Sequence, residues 1–170
     1  MGHRALLAYS REGSTYDLHR SHWGGADFAL ARHVSAETPF ASGTGFAVDP
    51  DPVATGLELE TAVAESLDFL AHEAFFRVGP DYETAPFHVC WFGLETDSDR
   101  IDRSETVGHG ALVEARPAEG DDYFRGWFRA TKAAVGDAVD RGDLTREEAL
   151  DYLASRVESW AEDREVIRPE

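Results

Sequence analysis

Apolar positions recur along this chain with two different periods, and the switch between them outlines its elements. Arg4 to Tyr9 is a short apolar run, Ser10 to Ser14 a turn carrying Gly13, and Thr15 to Ser21 a segment in which Tyr16 and Leu18 alternate with polar residues. That order predicts a β-hairpin. Ala26 to Val34 sets Phe28, Leu30 and Arg32 against Ala29, Ala31 and His33, which reads as a third strand in preference to a short helix. Residues 35–56 carry Pro39, Gly43, Gly45, Pro50, Pro52 and Gly56, so they form a connection, long enough to be a lid or a ligand-facing segment. The period then becomes helical. Leu59, Val63, Leu67 and Leu70 make one stripe of a helix running to about His72, with Thr55 and Glu58 spaced as a capping box. Ala74 to Val78 and Phe87 to Leu94 are strands on either side of a Gly79-Pro80-Asp81 turn, and His109 to Arg116 is another. PFHVCWFGL is apolar at successive positions, as in a central strand covered on both faces, with Cys90 as a small buried hydrophobe.

The last third reads as two helices. From Asp121 to Asp140, Phe124, Trp127, Phe128, Thr131, Val135, Ala138 and Val139 share one face. Thr145 then caps a second helix, with Glu148 closing a capping box, Leu144 as the staple and Ala149, Leu150, Leu153, Val157 and Trp160 as the buried stripe. A short loop between them implies an antiparallel helical hairpin. The expected class is α+β: an antiparallel sheet of five or six strands with a central helix and that C-terminal hairpin packed on it. One domain is expected over residues 1–170, with 1–118 mostly sheet, 119–165 the hairpin and 166–170 a tail.

Charge changes this picture more than composition does. Hydrophobic residues at 42% are enough for a folded core, and one cysteine excludes a disulfide framework. Thirty-three acidic residues face 16 basic ones, for a net charge of -17, and Lys132 is the one lysine among fifteen arginines. Such a balance fits a surface adapted to molar salt, with K+ or Na+ held among its carboxylates. At about 1 M salt the Debye length is ~3 Å, so basic groups act by contact and not by steering. An acidic surface therefore does not exclude nucleic acid here. No apolar run approaches the roughly 20 residues that span a bilayer, and MGHRALLAYS lacks a signal-peptide core, so a cytoplasmic protein without membrane contact is expected.

Against that background Arg125, Arg129 and Lys132 stand out. They lie one turn apart on the helix, and nothing acidic interrupts positions 123–136. They are the candidate binding residues for an anionic partner, whether nucleic acid, phosphate or an acidic peptide, with pairing to Asp121 and other carboxylates as the structural alternative. Residues 1–36 add an asymmetry, with four arginines against Glu12, Asp17 and Asp27. Among seven histidines, His19 and His22 have HxxH spacing, but three residues along a strand reverses the face. A metal site is not favoured; it would need a turn at Ser21 and further ligands from His3, Asp17, His33, His72 or Glu73. His72 and Glu73, with Asp68 a turn earlier, could form an acid–base set, although a histidine at a helix C-terminus is favoured by the helix dipole alone. No GxSxG, GxGxxG, Walker or HExxH pattern occurs, and Cys90 lies in an apolar strand where a thiol is inert. No cofactor is implied. The expected role is a non-enzymatic binding or accessory protein, compatible with a homodimer; the alternative is a metal-dependent, hydrolase-like enzyme using His19 and His22.

Four stretches carry a resemblance: MGHRALLAY, YDLHRSHWG, LDFLAHEAFF and RGWFRATKAAVGDAVDRG. Together they resemble a family of small haloarchaeal proteins known as a domain of unknown function. The resemblance implies a cytoplasmic protein of an extreme halophile. It brings no catalytic residue, substrate or cofactor with it.

Overall fold

The computed structural model describes residues 2–97 and 100–169. The N-terminal hairpin forms as expected. β1 (Ala5–Ser10) and β2 (Tyr16–Ser21) pair antiparallel from Ala5 opposite Ser21 to Ser10 opposite Tyr16, and Gly13 supplies a φ of 77° at the turn. There follow β3 (Ala54–Leu57), α1 (Leu59–Ser66), β4 (Ala74–Val78), β5 (Thr84–Trp91), β6 (Glu95–Thr96), β7 (Arg100–Ile101), β8 (Gly110–Glu114), α2 (Phe124–Asp140), α3 (Arg146–Ala161) and β9 (Val166–Ile167). The main sheet runs β3-β2-β1-β4-β5-β8-β9, while β6 and β7 pair separately. The class is α+β with a mostly antiparallel sheet, in which β1 and β4 are a parallel pair.

Several expectations give way. The sheet has seven strands and not five or six. The additions are β3, inside the Gly- and Pro-rich connection, and β9, in the expected tail; at four and two residues they are too short to show a period. Ala26–Arg32 is a 3-10 segment and not a strand. Both edges of the hairpin are already paired, to β3 and β4, so this segment lies over the sheet and buries Ala29 and Leu30. α1 stops at Ser66, six residues before His72, and Glu58 is its N-cap without a side-chain cap bond. Beyond it the chain is captured by residues 106–107: Phe69 donates to the Thr106 carbonyl and Asp68 bridges Val107. Leu67 is still buried, but in extended backbone, and Leu70 is exposed. Tertiary pairing has overridden the helical period.

The capping box of α3 is present as read: Thr145 Oγ1 accepts from Glu148 N–H at 3.1 Å and Glu148 Oε2 accepts from Thr145 N–H at 2.8 Å. α2 starts at Phe124 after a 3-10 turn at Asp121–Tyr123. Gly136 lets it close on the chain leaving β5, because a Cβ there would collide with the Glu95 carbonyl oxygen.

One face of the sheet carries Leu6, Ala8, Leu18, Phe75, Phe87 and Leu112 under Ala62 and Val63 of α1. The opposite face has two separate covers. Over β1 and β4, Leu30 and Val34 with Ala41 and Val48 pack on Leu7, Tyr9, Phe76 and Val78. Over β5 and β8, α2 and α3 pack on Cys90, Ala111 and Val113. Each Val, Leu or Phe side chain so buried contributes roughly 1.5–3 kcal/mol. Between the covers runs a seam, along the pairing of β4 with β5.

Candidate functional site

His88 sits in that seam. It lies opposite Ala74 of β4 and is 4% exposed. Phe28 of the 3-10 cover meets its ring edge-on at 5.1 Å, and Phe124 of α2 packs from the other side at 4.5 Å. Its Nε2–H donates to Asp121 Oδ2 at 2.8 Å. Asp121, 6% exposed, also accepts both arms of the Arg164 fork at 2.7 and 2.8 Å and the Arg116 N–H at 2.7 Å. Burial works against the charge on Asp121, but the Arg164 fork, the His88 bond and the backbone N–H outweigh it and hold the carboxyl down to about 2. Burial also lowers the His88 pKa, and the bond to Asp121 only partly opposes it. His88 is thus a neutral imidazole with its proton on Nε2, because an ionised carboxylate can only accept. The remaining nitrogen, Nδ1, is buried without a hydrogen-bond partner among the described residues.

His88 lines a cleft of about 540 Å³ that opens between the two covers. Asp27 and Phe28 form one wall, both with left-handed φ, 49° and 52°, which non-glycine residues adopt rarely. Arg125 reaches the rim, where it donates to the Glu73 carbonyl at 2.9 Å; the Glu73 carboxylate takes His3 Nδ1–H at 2.8 Å. Asp122 completes an acidic surround.

A second cleft, of about 680 Å³, lies next to the first across the N-terminal ends of β1 and β4. The two are separated by residues 3–4 and 72–73, tied by a Glu73 N–H to Arg4 C=O bond of 2.8 Å. Arg4 and Arg20 line the second cleft with His22, His72, Asp49 and Asp68. Among the described residues neither guanidinium pairs with a carboxylate. The two aspartates are engaged elsewhere. Asp68 accepts from the Leu70 and Ala71 N–H groups and from Thr106 Oγ1–H, and Asp49 from the Asp51 N–H. His72 donates Nδ1–H to the Asp68 carbonyl at 3.0 Å; burial lowers its pKa, with the charges of Arg4 and Arg20 acting in the same direction.

With both clefts described, comparison with known proteins adds one finding. The profile of a family of unknown function, DUF6735, matches residues 1–45 and 42–168. The chain belongs to DUF6735. No curated protein and no solved structure matches it.

The candidate residues read from the sequence of this DUF6735 member do not converge on one place. Arg125 and Arg129 are exposed on α2, the former bonded to Glu73 as described. Lys132 turns inward: it donates to the Gly93 carbonyl at 3.1 Å and sits 4.8 Å over the Trp91 ring. Burial brings its ammonium down to about 8. The three cations are therefore not presented as one row. His19 is 5% exposed and donates Nδ1–H to the Asp49 carbonyl at 2.8 Å, pinning the 35–56 connection to β2. His22 is exposed and packs edge-on to Trp23 at 5.0 Å. Among the described residues no group of three or more His, Cys, Asp or Glu side chains is placed to hold a metal ion. Tyr9 and Ser21 bond the connection as well, through Pro39 and Phe46, so it forms a fixed wall. His88 and Arg164 were not singled out by sequence reasoning, and Asp121 was named only as a partner for Arg125, whereas it pairs with Arg164. The available signal was a histidine inside an otherwise apolar central strand. Arg4 and Arg20 were signalled only by the basic excess of residues 1–36.

Proposed function

We propose that this DUF6735 member is a binding protein for a small ligand carrying a phosphate group, held in the Arg4–Arg20 cleft. The reading rests on one observation: two arginines without carboxylate partners among the described residues line one concavity of a chain with net charge -17. The neighbouring aspartates, Asp49 and Asp68, are turned to backbone N–H groups and not to these guanidiniums. Arginine suits the task because its planar fork makes paired bonds to phosphate oxygens that operate at contact, where salt screens long-range attraction. His72 adds a ring nitrogen, Nε2, whose protonation an arriving anion would favour. The acid excess and single lysine support molar salt as the working environment, in keeping with a haloarchaeal, cytoplasmic setting.

Inorganic phosphate is the probe. In KCl of about 1 M, exchanged for potassium phosphate at constant ionic strength, the melting temperature of the wild type is expected to rise saturably. Phosphate also stabilises proteins by exclusion from their surfaces. The decisive quantity is therefore the difference from an Arg4→Gln, Arg20→Gln double variant, which keeps the fold and loses the saturable part. Equal responses in the two proteins would sink the proposal.

A further inference from the structure

We propose that the ligand of the Arg4–Arg20 cleft is a nucleoside monophosphate, its phosphate held by the two guanidiniums and its base laid on Trp23. This names the ligand class of the phosphate site and rests on that reading.

The first support is space. The cleft encloses about 680 Å³, within the roughly 300–1,000 Å³ of small-molecule sites and far more than one phosphate fills. A phosphate gripped by Arg4 and Arg20 leaves room for the group that carries it. The second support is an aromatic platform. From the end of β2 the chain runs through Ser21 and His22, which line the cleft, to Trp23. Of the four tryptophans, Trp23 alone is exposed, at 47%. His22 stands edge-on to its ring at 5.0 Å and His3 is tilted to it at 6.2 Å, so neither lies flat on the indole. The turn that carries Trp23 is fixed. Gly24 N–H donates to Ser21 Oγ at 3.0 Å and Gly25 N–H to the His3 carbonyl at 2.7 Å. A side chain at either glycine would collide with Leu30 or with the His3 and Arg4 carbonyls. A fixed, exposed indole beside a phosphate site is a platform on which any base can stack. The third support is the polar surround. Asp49 gives Oδ1 to the Asp51 N–H and is exposed, with Oδ2 unbonded among the described residues. A carboxylate oxygen only accepts, which suits the hydroxyls of a sugar. Two arginines meet one phosphate; further phosphates would set their charge against Asp49 and Asp68.

The test is equilibrium dialysis of the whole chain in KCl of about 1 M. The probes are adenosine monophosphate, ribose-5-phosphate, which lacks the base, and inorganic phosphate. The wild type is expected to bind adenosine monophosphate about 5- to 100-fold more tightly than ribose-5-phosphate, the gain that stacking one base supplies. Trp23→Ala, at an exposed position, should bring adenosine monophosphate down to the affinity of ribose-5-phosphate and leave inorganic phosphate unchanged. Trp23→Phe keeps a ring and should restore part of the difference. The Arg4→Gln, Arg20→Gln double variant should lose all three probes. Equal affinity for the two sugar phosphates in the wild type, or a preference that survives Trp23→Ala, would overturn the nucleotide assignment and leave the phosphate site standing. No saturable binding of any probe, inorganic phosphate included, would overturn the phosphate reading itself and this inference with it.

Discussion

Asp121 is the buried charge that ties three parts of the chain together. It joins the sheet through His88, the C-terminal segment through Arg164 and its own turn through the Arg116 N–H. Removing one partner of a buried ion pair leaves the other charge without compensation, typically at a cost of about 3–5 kcal/mol. Asp121→Asn should therefore destabilise by roughly that amount in denaturant unfolding, and His88→Gln by clearly less, because Arg164 keeps its carboxylate. The same residues set the acid response. The pKa values of His72, His88 and His109 are all lowered in the fold, chiefly by burial. The unfolded chain, with histidines near 6.5, then takes up more protons as pH falls. The stability these histidines contribute is complete above about 6.5 and is lost as pH falls below it towards their folded values. Asp121 contributes stability above its ordinary 3.8, lost as pH falls towards about 2. Melting at fixed salt should fall between about pH 7.5 and 5.5, less steeply in His88→Gln. A flat profile in the wild type would contradict the burial assigned to these rings.

At the scale of elements, α2 illustrates how a helix is seated. Phe124 and Phe128 anchor one end in the core shared with α3, and Lys132 and Gly136 fit it to the chain between β5 and β6. Two glycines in this helix make a paired prediction. At Gly126 a Cβ would meet nothing within 4 Å, so Gly126→Ala should stabilise by about 0.5–1 kcal/mol through helix propensity alone. At Gly136 the same change puts a Cβ against the Glu95 carbonyl, so Gly136→Ala should destabilise despite the better propensity. Thermal melts of the two variants decide it. Shifts of the same sign would mean that α2 is not docked as described.

For the whole molecule the dominant quantity is the net charge of -17. Much of it lies on exposed side chains, where single ion pairs contribute only ~0–1 kcal/mol each and do not offset the collective repulsion. Raising KCl from about 0.1 to 1 M shortens the Debye length from ~10 to ~3 Å and screens that repulsion. The melting temperature should rise through this range, and a flat or falling series would contradict the salt-adapted reading. The two clefts open next to each other at one end of the parallel pair β1 and β4, and their surrounds differ in charge. Arg4 and Arg20 are matched by Asp49 and Asp68 in one, while Asp27, Glu73, Asp121 and Asp122 outnumber Arg125 in the other.

What could be read from the sequence was what neighbouring residues settle among themselves. Strands β1, β2, β4, β5 and β8 show in runs of five to eight residues, and the α3 cap shows in Thr145 and Glu148, because periodicity and capping are local. The rest was decided by contacts between distant positions. Residues 106–107 ended α1 early, and a full set of sheet partners turned Ala26–Arg32 from a strand into a cover. A helical period places Lys132 beside Arg125 and Arg129, but it does not know that Trp91 and the Gly93 carbonyl wait on that side. His88 is separated from Asp121 by 33 residues, and Asp121 from Arg164 by 43. Their chemistry comes from burial in a shared seam, and burial is a property of the assembled layers that no local pattern carries.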